Sequence, residues 1–166
     1  GSFSKVFAGG VRVGYILSPQ RYLNSLVSAF YLNCLFASPI MTEVVCQAIQ
    51  SGMMSQLIGE KKEILKERNR IFAGIFQKDD VNYHHECLHA WLNLPECWDP
   101  EDFVLQLQRN GVLVKGTKSF SVEKTKGTSG IRICLTAPER NEDVENGLKE
   151  IKKTLDQQPG VWQSIM

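Results

Sequence analysis

Almost no net charge survives in this sequence: 19 basic residues stand against 18 acidic ones, leaving +1. No stripe of one sign stands out either, so nothing in the charge pattern speaks for a nucleic-acid partner. Long apolar runs are also missing. Asn, Ser or Glu interrupts each hydrophobic stretch well before the roughly 20 residues that a membrane-spanning helix needs, and no membrane partner is expected. The opening residues lack the charged-then-apolar pattern of a secretory signal, which makes a cytoplasmic location the expectation. Internal repeats and low-complexity linkers are absent.

Cysteine occurs in odd number and scattered, at Cys34, Cys46, Cys87, Cys97 and Cys134. Three of these lie inside apolar patterns, and such thiols are expected to be reduced and buried. His84, His85 and His89 sit near Cys87 and Cys97, but no second pair at ligand spacing accompanies them, so no metal site is expected. What remains is an ordinary globular composition. The 166 residues are 43% hydrophobic and 22% charged, enough for a domain with a real core.

Periodicity predicts the elements. Val11 to Leu17 alternates and reads as a strand ending at Ser18-Pro19. Ser18 is then a suitable N-cap and Pro19 a suitable first helical residue. The helix that follows is predicted to reach about Tyr31, burying Leu23, Leu26, Val27 and Phe30. Ser38-Pro39 repeats the start signal for a second helix through Ile40, Val44, Val45, Ala48 and Ile49. From about Glu60 to Gln77, Ile64, Leu65, Ile71, Phe72, Ile75 and Phe76 form one stripe of a long amphipathic helix. Lys61, Lys62, Glu63, Lys66, Glu67 and Arg70 are predicted to face water.

The second half changes character. Leu88 to Leu94 alternates as a strand with two different faces. Asp99-Pro100-Glu101 opens a helix that ends at Asn110-Gly111. Val112 to Val114 and Gly130 to Leu135 read as further strands, and Ser119 to Gly130 as a mobile loop. Thr136-Ala-Pro-Glu139 has capping-box spacing and predicts a last helix with Val144, Leu148, Ile151 and Leu155 inward. The fold class is therefore α/β with an α+β small domain: helices, a long connecting helix, then a small antiparallel sheet covered by helices. Residues 1 to about 60 contain little strand to cover their apolar helices, as though that third were the edge of a larger sheet-based domain.

Chemistry concentrates near the start, in Gly1-Ser-Phe-Ser-Lys5-Val-Phe-Ala-Gly-Gly-Val-Arg12-Val-Gly-Tyr15. A lysine flanked by small hydroxyl residues can be held rigidly while its amine forms a Schiff base with an aldehyde. An arginine shortly after it, on a glycine-rich turn, offers a planar fork of donors to a phosphate. Pyridoxal 5′-phosphate carries both groups. Taken alone, Lys5 would be an unremarkable surface lysine, since Ser-x-x-Lys strings are common.

The full run resembles the cofactor-lysine segment of fold-type I aminotransferases, Ser-Phe-Ser-Lys-x-x-x-Pro-Gly-x-Arg-x-Gly-Tyr. Its nearest branch is the aminotransferase-like half of MocR/GntR-type transcriptional regulators. Two more stretches extend the likeness. Glu86-Cys-Leu-His-Ala-Trp-Leu-Asn-Leu-Pro95 is similar to the branch's Gly-Gly-x-His-x-Trp strand, and Gly111 to Phe120 is similar to a stretch bordering the site. The resemblance implies that Lys5 is the Schiff-base lysine, that Ser2 and Arg12 hold the cofactor phosphate, that Ser4 is a further cofactor-binding residue of unassigned role, and that Arg132 grips a substrate α-carboxylate. The plain alternative for Arg132 is an ordinary strand arginine facing solvent, and His89 and Trp91 read as packing residues of their strand, not as catalysts. Departures are Gly9 for the family proline, Glu86 and Cys87 for two glycines near the substrate, and Lys115, read in place of another proline.

The family implies further expectations. Residues 1–58 would be a remnant of the cofactor-binding large domain, and 59–166 the long connecting helix with the C-terminal small domain. The family's upstream elements, including the ring-stacking aromatic and the Asp that pairs the pyridine nitrogen, are not in this sequence. The chain is therefore expected to be a fragment, inactive and poor at holding pyridoxal 5′-phosphate alone, and to self-associate as the family's homodimers do. Two functions follow from the likeness. One is an effector domain of a GntR/MocR-type regulator, sensing an amino compound through aldimine exchange at Lys5, with DNA bound by a domain not present here. The other is a free-standing aminoadipate-type aminotransferase passing an amino group to a 2-oxo acid.

Overall fold

The computed structural model describes residues 1–77, 81–121 and 129–157. The chain divides into two compact units, Gly1–Lys62 and the described residues from Glu63 onward.

The first unit is helical. Helix α1 (Phe3–Val6) is one turn long, with Ser2 as its N-cap, and a 3₁₀ turn at Gly9–Val11 follows. Helices α2 (Gln20–Cys34) and α3 (Pro39–Gln50) come next, then α4 (Met53–Ile75), which continues past position 62. The core of this unit is small: Val11, Val13, Val45, Ala48 and Met54, with Phe3, Phe7 and Ile58 packed against it.

Several sequence expectations for this unit need correction. Residues 11–17 do not form a strand. Val11 closes the 3₁₀ turn, Arg12 is left-handed, and Gly14 makes one isolated antiparallel bridge with Ser2. Alternation supplies a face, but a ladder also needs a neighbouring strand, and only the first residues run alongside. Helix α2 starts at Gln20, one residue later than expected. Pro19 is its N-cap, and the Ser18 hydroxyl donates to the Pro19 carbonyl instead of accepting from the helix. The helix buries none of its residues: Leu23, Val27 and Phe30 are each more than 40% exposed, and Leu26 is half-buried. Helix α3 matches its signal, since Ser38 accepts from Met41 N–H and Pro39 opens the first turn. Of the residues expected on its inner face, Val45 and Ala48 are buried while Ile40, Val44 and Ile49 are exposed. Helix α4 begins before Gly59 and runs through it, because helix already nucleated on both sides outweighs the roughly 1 kcal/mol cost of one glycine.

The second unit is a four-stranded antiparallel sheet in the order β1-β2-β4-β3. The strands are β1 (Val81–Asn82), β2 (His89–Asn93), β3 (Lys115–Gly116) and β4 (Gly130–Cys134). Helices α5 (Pro100–Arg109) and α6 (Asn141–Leu155) pack on it. Alternation sends Ala90, Leu92, Ile131 and Ile133 to one side, where they join Phe72, Phe76, Phe103, Leu107, Leu148 and Ile151 in a continuous core. Burying side chains of that size stabilises by about 1.5–3 kcal/mol each. Helix α5 follows its sequence signals: Asp99 Oδ1 accepts from the N–H groups of Glu101 and Asp102, and Gly111 takes φ +81° just past the Asn110 cap.

Here too some boundaries shift. Val112 to Val114 is not a strand, and pairing begins at Lys115. Within the expected 119–130 loop, residues 122–128 lie outside the described residues. Thr136 to Glu139 is a turn, and α6 starts only at Asn141 without a side-chain cap. The reason is Arg68 on α4, which is 4% exposed. Its guanidinium donates to the Leu135 carbonyl at 2.8 Å, the Glu139 carbonyl at 2.9 Å and Asn141 Oδ1 at 3.0 Å, fixing this stretch as a turn instead of a helical one. At the helix start, hydrogen bonding from Arg140 holds the Asp143 carboxyl below its ordinary range, a contribution present above the usual carboxylate titration and lost as pH falls through the lowered native value. None of the five thiols is buried: Cys34, Cys87 and Cys97 are exposed, Cys46 and Cys134 intermediate. Beside Cys134 it is Ile133 and Leu135 that turn inward, and beside Cys46 it is Val45. No described helix is long and apolar enough to cross a membrane.

Arg68→Ala is expected to lower stability by about 2–4 kcal/mol, because the carbonyls of Leu135 and Glu139 lose their donor. Arg68→Lys should recover only part of this, lacking the fork; urea midpoints measure both.

Candidate functional site

The first residues are tied to the 13–15 segment by backbone hydrogen bonds. Phe3 N–H donates to the Val13 carbonyl at 3.0 Å and Tyr15 N–H to the Gly1 carbonyl at 2.9 Å. Gly14 is required for this approach, since a Cβ there would stand 2.8 Å from the Gly1 carbonyl oxygen. The loop between is closed on itself: Phe3 and Tyr15 rings lie 5.6 Å apart, and the intervening turn carries Val11 into the core.

Within this closed loop Ser2, Ser4 and Arg12 are linked by hydrogen bonds, and Lys5 adjoins them in the chain. Ser2 Oγ accepts from Ser4 N–H at 3.2 Å, and Arg12 Nη1 donates to Ser4 Oγ at 3.4 Å. Arg12 adopts φ 52°, ψ 34°, in the left-handed region. A non-glycine residue there costs on the order of 1 kcal/mol or more and tends to mark a functional segment. Lys5 lies on α1, exposed, with no hydrogen bond or ion pair to a described residue. The set thus offers a primary amine without a partner, two hydroxyls and a guanidinium fork. An amine condenses with an aldehyde, while the fork and hydroxyls match phosphate oxygens.

Lys61 also acts here, although the sequence placed it on the solvated face of its helix. Its ammonium donates to the Val6 carbonyl at 2.9 Å and the Phe7 carbonyl at 2.8 Å, meeting the free carbonyls at the end of α1. Nothing in the charge pattern distinguishes Lys61 from Lys62, so only the fold reveals it.

Arg132 belongs to the second unit. It stands on β4 between Trp91 of β2 and Lys115 of β3, its directly opposed partners. Register continues the row to Asn82 on β1, which opposes Trp91. This row lies on the side of the sheet away from the Leu92 and Ile131 core. The Arg132 guanidinium sits over the Phe120 ring at 4.8 Å, and Trp91 meets the same ring edge-on at 5.9 Å. Phe120 is thus the residue that orients the arginine, a role its place in the sequence does not declare. Arg132 makes no hydrogen bond or ion pair with any described residue, and its buried Nε is without a partner. A flat, oriented guanidinium with free donors suits a carboxylate.

The departures are placed as follows. Glu86 and Cys87 are both exposed, on a turn where Cys87 N–H donates to the His84 carbonyl and Asn69 Nδ2 to the Cys87 carbonyl. Gly9 leads into the 3₁₀ turn before Arg12. Lys115 is exposed on the edge strand. No group of three His, Cys, Asp or Glu able to hold a metal occurs among the described residues.

Comparison with known proteins gives consistent results. The family model for aminotransferase class I and II matches residues 1–151. The HTH-type transcriptional regulator YdeF of Bacillus subtilis is 26% identical over 155 residues, which is 93% of this chain and 34% of that protein. A histidinol-phosphate aminotransferase of Caldanaerobacter subterraneus subsp. tengcongensis is 30% identical over 155 residues, covering 90% of this chain and 40% of the enzyme. The chain therefore spans between a third and two-fifths of the length of these curated relatives. Among solved structures, Pyrococcus horikoshii kynurenine aminotransferase in complex with PMP superposes with TM-score 0.79 at 18% identity, over 93% of this chain and 39% of that one. The helices and the small antiparallel sheet therefore have the fold-type I arrangement.

Gly130 shapes the Arg132 row: a Cβ there would meet Trp91 Nε1 at 2.5 Å and the Leu92 carbonyl oxygen at 2.6 Å. Because one of these is backbone, Gly130→Ala is expected to destabilise by about 1–3 kcal/mol and to alter the near-ultraviolet dichroism of Trp91. A midpoint and spectrum like the parent's would contradict this packing.

Proposed function

Since the chain belongs to the class I and II aminotransferase family, we propose that it is part of a pyridoxal-phosphate-binding, aminotransferase-like module that handles an amino compound at Lys5. The observation that supports this reading is the closed loop in which exposed Lys5 directly follows Ser4, whose hydroxyl accepts from Arg12. The chemistry of these donors fits the group. Arg12 and the hydroxyls of Ser2 and Ser4 would bind its phosphate, and Lys5 would meet its aldehyde. When bound, pyridoxal phosphate supplies a carbonyl carbon that condenses with amines and a ring that withdraws electrons from the attached carbon.

The residues of this chain then divide the work. Lys5 would present its amine to that carbonyl carbon, and in a catalytic setting the same amine would take a proton from Cα and return it. Arg12 would hold the phosphate end of the group through its guanidinium fork. Arg132, held flat by Phe120, would offer its fork to a carboxylate.

The finer proposal is that the complete protein is a GntR/MocR-type regulator whose effector domain includes this chain, with DNA-binding residues elsewhere and the active form a homodimer. Supporting it are the match to an HTH-type regulator over 93% of the chain and the exposed Glu86 and Cys87, which stand where the resemblance places glycines. The second reading, an aminotransferase acting on a 2-oxo acid, is favoured by the 30% identity to a histidinol-phosphate aminotransferase.

In the full-length protein, borohydride treatment with pyridoxal phosphate is expected to fix the cofactor on Lys5, and Lys5→Ala to abolish the adduct. Retained labelling at another lysine would overturn the assignment. Arg12→Ala should weaken cofactor affinity about 10- to 100-fold, the loss of a charge-assisted phosphate contact, measured by fluorescence titration. Purified full-length protein that shifts a promoter fragment in an amino-compound-dependent way supports the regulator; multiple turnovers with a 2-oxo acid and no DNA binding support the enzyme.

A further inference from the structure

We propose that Lys115 and Arg132 together form a seat for two anionic groups, so that the site takes a short amino dicarboxylate in preference to an amino monocarboxylate. The proposal rests on the reading of Arg132 as a carboxylate binder. It adds a substrate class.

The register carries it. Lys115 is the direct cross-strand partner of Arg132, and directly opposed residues of an antiparallel pair share one face with their Cβ atoms about 5 Å apart. The neighbouring pair, Gly116 opposite Ile131, occupies the other face. There the added Cβ of Gly116 would touch Glu101 and Val104 of α5, so Lys115 and Arg132 lie on the face away from that helix. Two like charges placed directly opposite one another destabilise a sheet, and among the described residues no carboxylate on these strands offsets them. The four strands contain no Asp or Glu at all, and the cross-strand row reads Asn82, Trp91, Arg132, Lys115. Among the described residues neither cation forms a salt bridge, and Arg132 Nε has no hydrogen-bond partner.

The two cations differ in a useful way. Arg132 is fixed over Phe120, so its planar fork is a directional receptor for one carboxylate. Lys115 is exposed at the sheet edge, a compact charge on a flexible arm that can follow an anion of variable reach. One carboxylate seated on Arg132 leaves the repulsion between the pair only partly neutralised. A second, on the same small molecule, removes the remainder. The result is a preference for two negative groups over one, without a second rigid pocket.

The test uses the full-length protein and two probes without an amine, glutarate and butyrate, followed through the Arg132 Nε–H signal in proton–nitrogen correlation spectra. Glutarate is expected to bind about tenfold more tightly than butyrate, the worth of one additional charge-assisted contact. Lys115→Gln should reduce that ratio to about twofold and Lys115→Arg should preserve it, since only the charge is at issue. Equal affinities in the parent protein would overturn the proposal, as would a ratio that survives Lys115→Gln. The borohydride experiment separates this from the cofactor reading. A glutarate preference without a Lys5 adduct leaves the anion seat standing and removes the cofactor, whereas an adduct without the preference does the reverse.

Discussion

A short antiparallel tie between the first three residues and positions 13–15 governs the candidate site. Two backbone hydrogen bonds and the close approach at Gly14 close a loop whose ends would otherwise be free. Closure places Lys5, Ser4 and Arg12 within one small piece of backbone, and it does so with main-chain contacts that leave the side chains available. The left-handed conformation of Arg12 is tolerable because the residues around it are over-determined: Val11 and Val13 are both buried, so the residue between them has little freedom to relax. Lys61 completes the arrangement by meeting the carbonyls at the end of α1.

The second unit uses the two faces of one sheet for two purposes. On one side alternate residues of β2 and β4 join a core that includes Phe72, Phe103 and Leu107, all fully buried. On the other, the same strands present a row of polar and cationic side chains and the stacked Phe120. The period of a strand forces this division, because shifting the register by one residue would exchange the faces. Arg68 maintains it from behind, holding the chain between β4 and α6 in a fixed turn through main-chain acceptors.

Much of this was legible in the residues. The order of helices and strands, the Ser38 and Asp99 caps, the Gly111 stop and the inner face of α6 all follow from local chemistry, where sequence and structure are nearly the same statement. The errors arose where a distant partner decides. The alternation of Val11 to Leu17 promised a strand, but pairing depends on what lies alongside. The apolar stripe of α2 promised burial, yet Leu23, Val27 and Phe30 remain exposed, since a stripe specifies a need for cover and not its supply. Thr136 to Glu139 had capping-box spacing, but a buried arginine more than sixty residues earlier claims the carbonyls of Leu135 and Glu139. For the candidate site, the motif residues around Lys5 could be named from spacing and resemblance. Lys61 and Phe120 could not, because an ammonium that meets a backbone oxygen and a ring that supports a guanidinium leave no periodic trace.

The Lys61 clasp has a consequence for how this segment tolerates change over evolutionary time. Its acceptors are the main-chain oxygens of positions 6 and 7, which every amino acid provides. Side-chain drift at position 6, whose valine is 36% exposed, therefore leaves the contact intact, whereas Phe7 is held in place by its own packing against the core. Variation is permitted at one residue and withheld at the next, although the same ammonium touches both.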